Sequence, residues 1–194
     1  AEPTAVSLHA VELGEQSLKK SLKNLKILVI GGGAIGLLCA LILEKFKECN
    51  NIYLSEPNEK RLKSCSNNLK CSSVKPKDPE LKDSSFDLIF DTVGLELTRQ
   101  TAIKLAKPGA SIIHIGLTQP SGEFDFRKAT LQEVTFIGTY CYTNKDFSKT
   151  LSILSKNQLG DLNWIEFRDL SQGAEAFKQI HDGTCSAPKI ILIP

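Results

Sequence analysis

The 194-residue chain contains no methionine, one tryptophan and only three histidines, and none of its six cysteines belongs to a C-x-x-C pair. Because a structural zinc site needs clustered Cys and His ligands, we expect no metal site within this chain. No apolar run approaches the ~20 residues that a membrane span requires, and no secretory signal pattern is present. We interpret the cysteines as the reduced thiols of a cytoplasmic protein.

The chain also lacks an excess of charge of either sign. It has 24 basic and 22 acidic residues, which gives a formal net charge of +2. This balance provides no basic field for nucleic acid, so we expect neither nucleic acid nor a membrane as a partner. With 41% hydrophobic residues the chain can bury a core, most simply as one domain with extra elements. The absence of any methionine leads us to expect an internal piece of a longer polypeptide.

The most informative segment begins at Lys26. An apolar, β-branched run follows it and leads into three consecutive glycines, after which a long apolar helix pattern begins. Gly31, Gly33 and Gly36 fit the spacing G-x-G-x-x-G. The first glycine permits a tight turn, the second lets backbone approach a pyrophosphate, and the third brings the helix against the strand. Free N–H groups and the positive dipole end of the helix favour phosphate. Since Glu56 ends the next strand-like run, the pattern predicts dinucleotide binding.

Strand and helix patterns alternate along the chain, which predicts an α/β fold with an open, doubly wound parallel sheet of Rossmann type. The predicted strands of this sheet are 25–30, 51–56, 86–93, 111–117 and 134–142. The predicted helices around it are 3–13, ended by Gly14, and 34–48, 58–70 and 96–106. Residues 75–85 predict a loop, and 124–126 predict an added short strand. The remainder predicts helices at 145–158 and 171–182 and strands at 163–168 and 189–193.

Several segments occur in the order found in the zinc-dependent medium-chain dehydrogenase/reductases, namely 2–10, 31–36, 55–62, 86–94, 107–117, 136–138 and 174–177, followed by 189–191. The chain most resembles the sorbitol, threonine and butanediol dehydrogenase branch, but over only the second half of such an enzyme. The resemblance implies an interdomain helix at 1–14 and an NAD-binding Rossmann domain at 15–143. It also implies that 144–194 belongs to, or packs on, an absent GroES-like catalytic domain.

The resemblance implies roles in cofactor binding for individual residues. A carboxylate at Glu56 can accept hydrogen bonds from both ribose hydroxyls of the adenosine, and it would repel a 2′-phosphate, so NAD is favoured over NADP. Arg61 flanks the adenosine, and its ability to pair with a phosphate keeps NADP open as the less favoured alternative. Ala34 and Ile35 lie along the pyrophosphate. The two segments expected to fix the nicotinamide carboxamide are Ile115, Gly116 and Leu117, and Thr139, Tyr140 and Cys141.

The resemblance also implies two residues that face the substrate. Glu2 matches a glutamate that lies next to the catalytic zinc of the polyol branch, although a first-turn acid favourable to the helix dipole is an alternative. Tyr142 matches a tyrosine that faces the polyol in sorbitol dehydrogenases. Cys141 replaces the arginine that precedes that tyrosine, which argues against sorbitol itself as the substrate.

The function implied is hydride transfer between a secondary alcohol or polyol and NAD, assisted by a zinc ion that only the full-length enzyme would hold. This chain alone is expected to be inactive. The alternatives are a zinc-free quinone or enoyl reductase of the same superfamily, a non-catalytic NAD-sensing module and a methyltransferase. We interpret His9 as packing between domains and Asp91 as holding a turn. We also expect a homo-oligomer joined at a sheet edge, through 124–126 or 111–117.

Overall fold

Six strands form the main sheet of the computed structural model, which describes residues 1–194. They are β1 (Ile27–Ile30), β2 (Ile52–Ser55), β3 (Ser72–Val74), β4 (Phe86–Asp91), β5 (Ala106–His114) and β6 (Thr135–Gly138). All pairs are parallel, and the order across the sheet is β3-β2-β1-β4-β5-β6. This is the order of two Rossmann halves whose direction of winding reverses between β1 and β4. The predicted doubly wound α/β fold is confirmed.

Seven helices accompany the strands. They are α1 (Glu2–Leu18), α2 (Ala34–Leu41), α3 (Glu59–Asn68), α4 (Glu96–Leu105), α5 (Phe126–Leu131), α6 (Asn144–Ser155) and α7 (Gly173–His181). A π-helical segment, Ile42–Phe46, continues α2. A second, two-stranded parallel sheet contains β7 (Ile165–Asp169) and β8 (Lys189–Ile193), with a 3-10 turn and α7 between them. We name residues 165–193 the C-terminal lobe. None of the helices combines the length and the hydrophobicity of a membrane span.

The central strand β1 divides the core into two layers. Ile27 and Val29 point to the larger layer, which α1 and α2 cover, while Leu28 and Ile30 point to the smaller layer on the α4 side. This alternation follows from the two-residue period of a strand. Both layers are apolar because a parallel sheet is covered on both faces, and for the same reason β1 and β4 are buried along their whole length.

Some residues after α6 are part of this same core. The α6 helix packs on α1, and Ile153, Leu159 and Trp164 join the larger layer. At this contact His9 Nδ1 lies 2.9 Å from Asp146 Oδ2, so His9 joins α1 to α6. The chain up to residue 164 therefore shares one core, and only the C-terminal lobe forms a separate sheet.

Two predictions at the ends of elements are wrong. The first helix does not end at Gly14 but continues to Leu18, and Lys19 ends it in the left-handed conformation. Gly14 is buried inside α1, where a Cβ would lie 3.1–3.2 Å from Leu88 and Phe90 side-chain atoms. The glycine is required for close packing of α1 on β4. Likewise, β5 begins at Ala106 rather than at residue 111 and ends at His114 rather than at residue 117.

Two predictions about the sheet edges are also wrong, and one edge strand was not predicted. Residues 124–126 form no strand, because the Asp125 carboxylate accepts a hydrogen bond from the Lys128 N–H and begins α5 at Phe126. Residues 111–114 lie in β5, an inner strand between β4 and β6, so they offer no free edge. The free edges are β6 and β3, and β3 lies between the predicted helix 58–70 and the predicted loop 75–85, where no strand was predicted.

Asp146 has the contacts of a carboxylate that must stay ionised in the folded chain. Its Oδ2 accepts hydrogen bonds from the N–H and hydroxyl of Thr143 at 2.8 and 2.7 Å, in addition to the contact with His9. Burial alone would raise the pKa of Asp146, but the bonds from Thr143 and His9 together hold this pKa below its ordinary value. The folded state is therefore stabilised most when Asp146 is charged.

Asp146→Ala should lower the free energy of unfolding by about 1–2 kcal/mol at neutral pH, because it removes the Asp146 half of the capping box with Thr143 and the link to α1. A depressed folded-state pKa gives stability above the unfolded-state pKa of about 3.9, and this stability is lost as pH falls through the folded-state pKa. Urea unfolding at about pH 7 and about pH 3 should therefore show the difference shrinking in acid. The exposed Asp161→Ala is the control, and equal losses in the two variants would contradict the assignment.

Candidate functional site

The turn between β1 and α2 is built on three glycines with different surroundings. Gly31 has φ +105°, and a Cβ there would lie 2.7 Å from side-chain atoms of both Thr92 and Val93. A Cβ on Gly36 would overlap the carbonyl oxygen of Gly31. Gly33 differs, because a Cβ there would meet no atom within 4 Å. Gly31 and Gly36 are therefore needed by the protein itself, whereas Gly33 presents bare backbone to open space.

The open space at Gly33 lies at the N-terminus of α2. Gly33 is the N-cap residue, and no side chain caps this helix. The first N–H groups of α2, including those of Ala34 and Ile35, are therefore available to an anion at the positive end of the helix dipole. The site lies outside the carboxyl ends of β1 and β4, where the winding of the sheet reverses, which is where doubly wound sheets bind ligands.

Glu56 directly follows β2 and connects this turn with α3. Its Oε2 accepts a hydrogen bond from the Gly32 N–H at 2.7 Å, and its Oε1 accepts one from the Asn58 N–H at 2.8 Å. The residue is only 3% exposed. Each carboxylate oxygen can accept two hydrogen bonds, so Oε2 keeps capacity for one more donor. The structure thus brings together the acid and the glycine turn that the sequence singles out.

Arg61 belongs to the first turn of α3 and faces the same carboxylate. Its Nε and Nη2 each donate to Glu56 Oε1 at 3.2 Å. The N-cap of α3 is Asn58, whose Oδ1 accepts hydrogen bonds from the N–H groups of Lys60 and Arg61. Two of the guanidinium N–H groups are therefore engaged by Glu56. The sequence pattern did not single out Asn58, although an asparagine before a charged helix is an N-cap signal.

Asp91 holds the turn at the end of β4. It is fully buried, and its Oδ1 accepts hydrogen bonds from the N–H groups of Val93 and Gly94 at 3.1 and 2.9 Å. Its backbone carbonyl accepts hydrogen bonds from the N–H groups of Ile115 and Gly116. A Cβ on Gly94 would overlap the Gly116 carbonyl, so the loops after β4 and β5 pack backbone against backbone. Asp91 thus fixes the first of the two segments expected near the nicotinamide.

The second of these segments follows β6 at the same edge of the sheet. The Thr139 N–H donates to the His114 carbonyl at 3.0 Å, which ties this segment to the end of β5. The Thr139 hydroxyl is buried and has no partner. Leu117 and Tyr140 are 79% and 81% exposed, and Cys141 is exposed with φ +55°. Backbone groups of these segments, more than their side chains, are held in fixed positions.

The two residues expected to face the substrate lie at the margins of the site. Glu2 is exposed in the first turn of α1 and makes no side-chain hydrogen bond. The nearby Ser7 hydroxyl contacts the Ile35 carbonyl at 3.2 Å, so the start of α1 runs beside the start of α2. Tyr142 is partly buried and stacks on Phe147, with 5.5 Å between ring centroids.

His114 is a titratable residue whose surroundings the sequence did not reveal. It pairs with Asp91 across β4 and β5, and its Nε2 lies 3.7 Å from Asp91 Oδ2 without a hydrogen-bond partner. Burial lowers the pKa of His114, Asp91 opposes that shift, and Arg99 adds to it. The neutral imidazole is therefore the favoured form near pH 7.

The residues of this chain do not fit a zinc ion. No three His, Cys, Asp or Glu side chains come together in a group that could hold a metal. All six cysteines are unpaired, and burial raises the pKa of Cys39 and Cys65 to about 12, so both are protonated thiols. A metal ligand would need the thiolate. No chemical step through zinc is therefore assigned to these residues.

Comparison with known proteins identifies a family to which the chain belongs. The family model described as zinc-binding dehydrogenase matches residues 34–156. A probable D-xylulose reductase A of Neosartorya fischeri is 26% identical over 94% of this chain and 53% of that protein. The chain thus spans about half the length of the curated relatives it matches.

Solved structures agree on the fold. The 2R,3R-butanediol dehydrogenase from Bacillus subtilis superposes with a TM-score of 0.81 and 22% identity, over 100% of this chain and 56% of its own. Acetophenone reductase from Geotrichum candidum, solved in complex with NAD, superposes with a TM-score of 0.80 and 19% identity, over 96% of this chain and 52% of its own.

The different surroundings of two glycines give a direct stability test. Gly36→Ala should lower the free energy of unfolding by about 3 kcal/mol or more, because the new methyl group overlaps backbone that cannot move aside. Gly33→Ala should cost no more than about 1 kcal/mol, since its methyl group meets only open space and alanine is merely a poorer N-cap. Denaturant unfolding of both variants measures this, and similar losses would contradict the described turn.

Proposed function

Because the chain belongs to the zinc-binding dehydrogenase family, we propose that it is the NAD(H)-binding portion of an oxidoreductase acting on a secondary alcohol or polyol. The observation that carries this proposal is the uncapped N-terminus of α2 beside bare backbone at Gly33, with the Glu56 carboxylate next to the same turn. This combination suits a pyrophosphate and a ribose joined in one ligand.

In this proposal the glycine turn binds the pyrophosphate. The N–H groups of Gly33, Ala34 and Ile35 donate to the phosphate oxygens, and no side chain competes for them. Gly33 must stay without a Cβ because the ligand occupies the space in which that methyl group would lie. Gly31 and Gly36 shape the turn but do not themselves need to touch the ligand.

Glu56 binds the adenosine ribose in this proposal. The Gly32 and Asn58 N–H groups orient its carboxylate, and the remaining capacity of Oε2 accepts a ribose hydroxyl. A 2′-phosphate would add negative charge beside a nearly buried carboxylate, which favours NAD. Arg61 is consistent with this choice, because its Nε and Nη2 both donate to the Glu56 carboxylate.

The carboxyl ends of β5 and β6 orient the nicotinamide. Backbone groups of Ile115–Leu117 and of 139–141 would bind the carboxamide, since Asp91 and the His114 carbonyl already fix both segments. NAD, when bound, supplies the acceptor for the hydride. This chain contributes the position and orientation of the ring relative to the substrate.

In this proposal, the zinc ion and the substrate are bound mainly by another domain of a longer enzyme. We infer that zinc and most of the substrate pocket lie in a catalytic domain outside this chain, and that Glu2 and Tyr142 face that pocket. The C-terminal lobe supports the inference, because it exposes large apolar side chains that a neighbouring domain would cover. They are Phe167, Leu170, Phe177, Ile180 and Ile193. Six unpaired cysteines lead us to propose a cytoplasmic location.

We also propose that two chains join through β6. This edge strand has unpaired backbone groups on its outer side, and a two-fold axis would let the same strand pair with its copy. Phe136 on β6 is 43% exposed and touches Phe124, which in turn touches Phe126, itself 74% exposed. This aromatic cluster supports an interface at β6 in place of the strands expected from the sequence.

The cofactor assignment is tested by calorimetry with NAD(H) and NADP(H). NAD(H) should bind more tightly, and Glu56→Ala should weaken its binding by roughly 1.5–3 kcal/mol because the ribose loses a charged acceptor. Glu59→Ala is the matched control, since Glu59 is an exposed glutamate in the first turn of α3. Equal or reversed affinities for the two cofactors would refute the NAD assignment.

The assembly is tested by sedimentation at micromolar concentration. The parent chain should sediment at about twice 21.3 kDa, and Phe136→Glu should return it to a monomer because charge would face charge across the two-fold axis. Phe177→Glu places the same change on the exposed face of α7 and should leave the dimer intact. A monomeric parent chain, or a dimer unaffected by Phe136→Glu, would rule out pairing through β6.

A further inference from the structure

Side-chain hydrogen bonds join the C-terminal lobe to the rest of the chain at one place, beside the candidate adenosine site. Asn58 Nδ2 donates a hydrogen bond to the Gly183 carbonyl at 2.6 Å, across 125 positions of sequence. Lys60 Nζ donates to the Thr184 carbonyl at 3.4 Å. No other side-chain hydrogen bond or ion pair joins residues 165–193 to the chain before residue 165. The side-chain hydrogen bonds that hold the lobe thus all come from the N-terminus of α3.

Asn58 uses every polar group that it has. Its backbone N–H donates to Glu56 Oε1, its Oδ1 caps α3, and its Nδ2 binds Gly183. Glu56 in turn accepts a hydrogen bond from the Gly32 N–H with its other oxygen. A continuous series of hydrogen bonds therefore runs from the glycine turn through Glu56 and Asn58 to the lobe.

The turn that receives Asn58 is itself well fixed within the lobe. Gly183 has φ +66° and directly follows the end of α7. The N–H groups of Thr184 and Cys185 both donate to the Gln179 carbonyl, at 3.0 and 3.2 Å. Cys185 is buried, with its Sγ 3.9 Å from Glu166 Oε2 on β7. A displacement of this turn therefore displaces the lobe and not only a loop.

We propose that Asn58 is a positioning residue that couples occupancy of the adenosine site to the docking of the C-terminal lobe. The part of this inference that concerns cofactor binding rests on the proposed function. A ribose bound to Glu56 restrains that carboxylate, hence the Asn58 backbone, and hence the amide that binds Gly183. By linkage, a docked lobe raises cofactor affinity by the same factor by which cofactor stabilises docking.

Asn58→Ser tests the coupling without adding charge. Serine keeps an N-cap oxygen for α3, but it has no amide to reach Gly183. Asn68→Ser is the matched control, because Asn68 Nδ2 binds the Ser64 carbonyl on the same helix and does not contact the lobe. Amide hydrogen exchange of Thr184 and Cys185 reports docking, because the bond from Asn58 to the Gly183 carbonyl restrains the turn whose opening exposes these two N–H groups. Calorimetry with NAD reports affinity.

In the free chain, Asn58→Ser should speed exchange at these two amides by roughly fivefold, the factor that one lost hydrogen bond corresponds to, and Asn68→Ser should not. NAD should slow this exchange in the parent chain but not in Asn58→Ser, which should also bind NAD roughly fivefold more weakly. Equal exchange in the two variants, or equal NAD protection of the parent and Asn58→Ser, would overturn the proposal.

A hydrogen-exchange experiment without cofactor separates this inference from the proposed function. Glu56→Gln has a single acceptor oxygen for two N–H groups, so it should loosen the Asn58 backbone and speed exchange at Thr184 and Cys185 in the free chain. Unchanged exchange in Glu56→Gln would refute the coupling. Failure of the parent chain to bind NAD would instead refute the proposed function, while the free-chain comparison would still decide whether Asn58 docks the lobe.

Discussion

The arrangement of the site depends on the close approach of α2 to the end of β1, where a Cβ on Gly36 would overlap the Gly31 carbonyl. This contact aims the N-terminus of α2 at the point where the winding of the sheet reverses. Glu56 then joins the turn to β2 through the Gly32 N–H. The same short segment thus sets the helix, the direction of its dipole and the place of the acid.

Buried side chains hold the other half of the site in register. Asp91 binds the turn after β4 with its carboxylate and the loop after β5 with its carbonyl, so one residue organises two neighbouring loops. Gly94 and Gly116 allow these loops to meet backbone to backbone. Hydrogen bonds therefore hold the carboxyl edge of the sheet at the place where the nicotinamide ring is proposed to bind. Apolar side chains, by contrast, stay exposed on the C-terminal lobe and beside β6.

The sequence was sufficient to predict the features of this structure that depend on residues close together in the chain. The glycine spacing and the acid that follows β2 were sufficient to predict the glycine turn and the carboxylate beside it, because both follow from the chain around them. Gly14 was misinterpreted, since only the packing of α1 against Leu88 and Phe90 explains a glycine inside that helix. The short strand expected at 124–126 is instead a helix start, and the contact of Asn58 with Gly183 joins residues that no local pattern relates.

We propose that the uncapped N-terminus of α2 binds the pyrophosphate of NAD. Backbone amide chemical shifts recorded during a titration with NAD test this most directly, because each N–H group reports its own hydrogen bond. We expect the largest shifts at Gly33, Ala34 and Ile35, with a second group at Gly32 and Asn58 around the Glu56 carboxylate. Shifts confined to another part of the surface, with these amides unchanged at saturation, would exclude pyrophosphate binding at this helix.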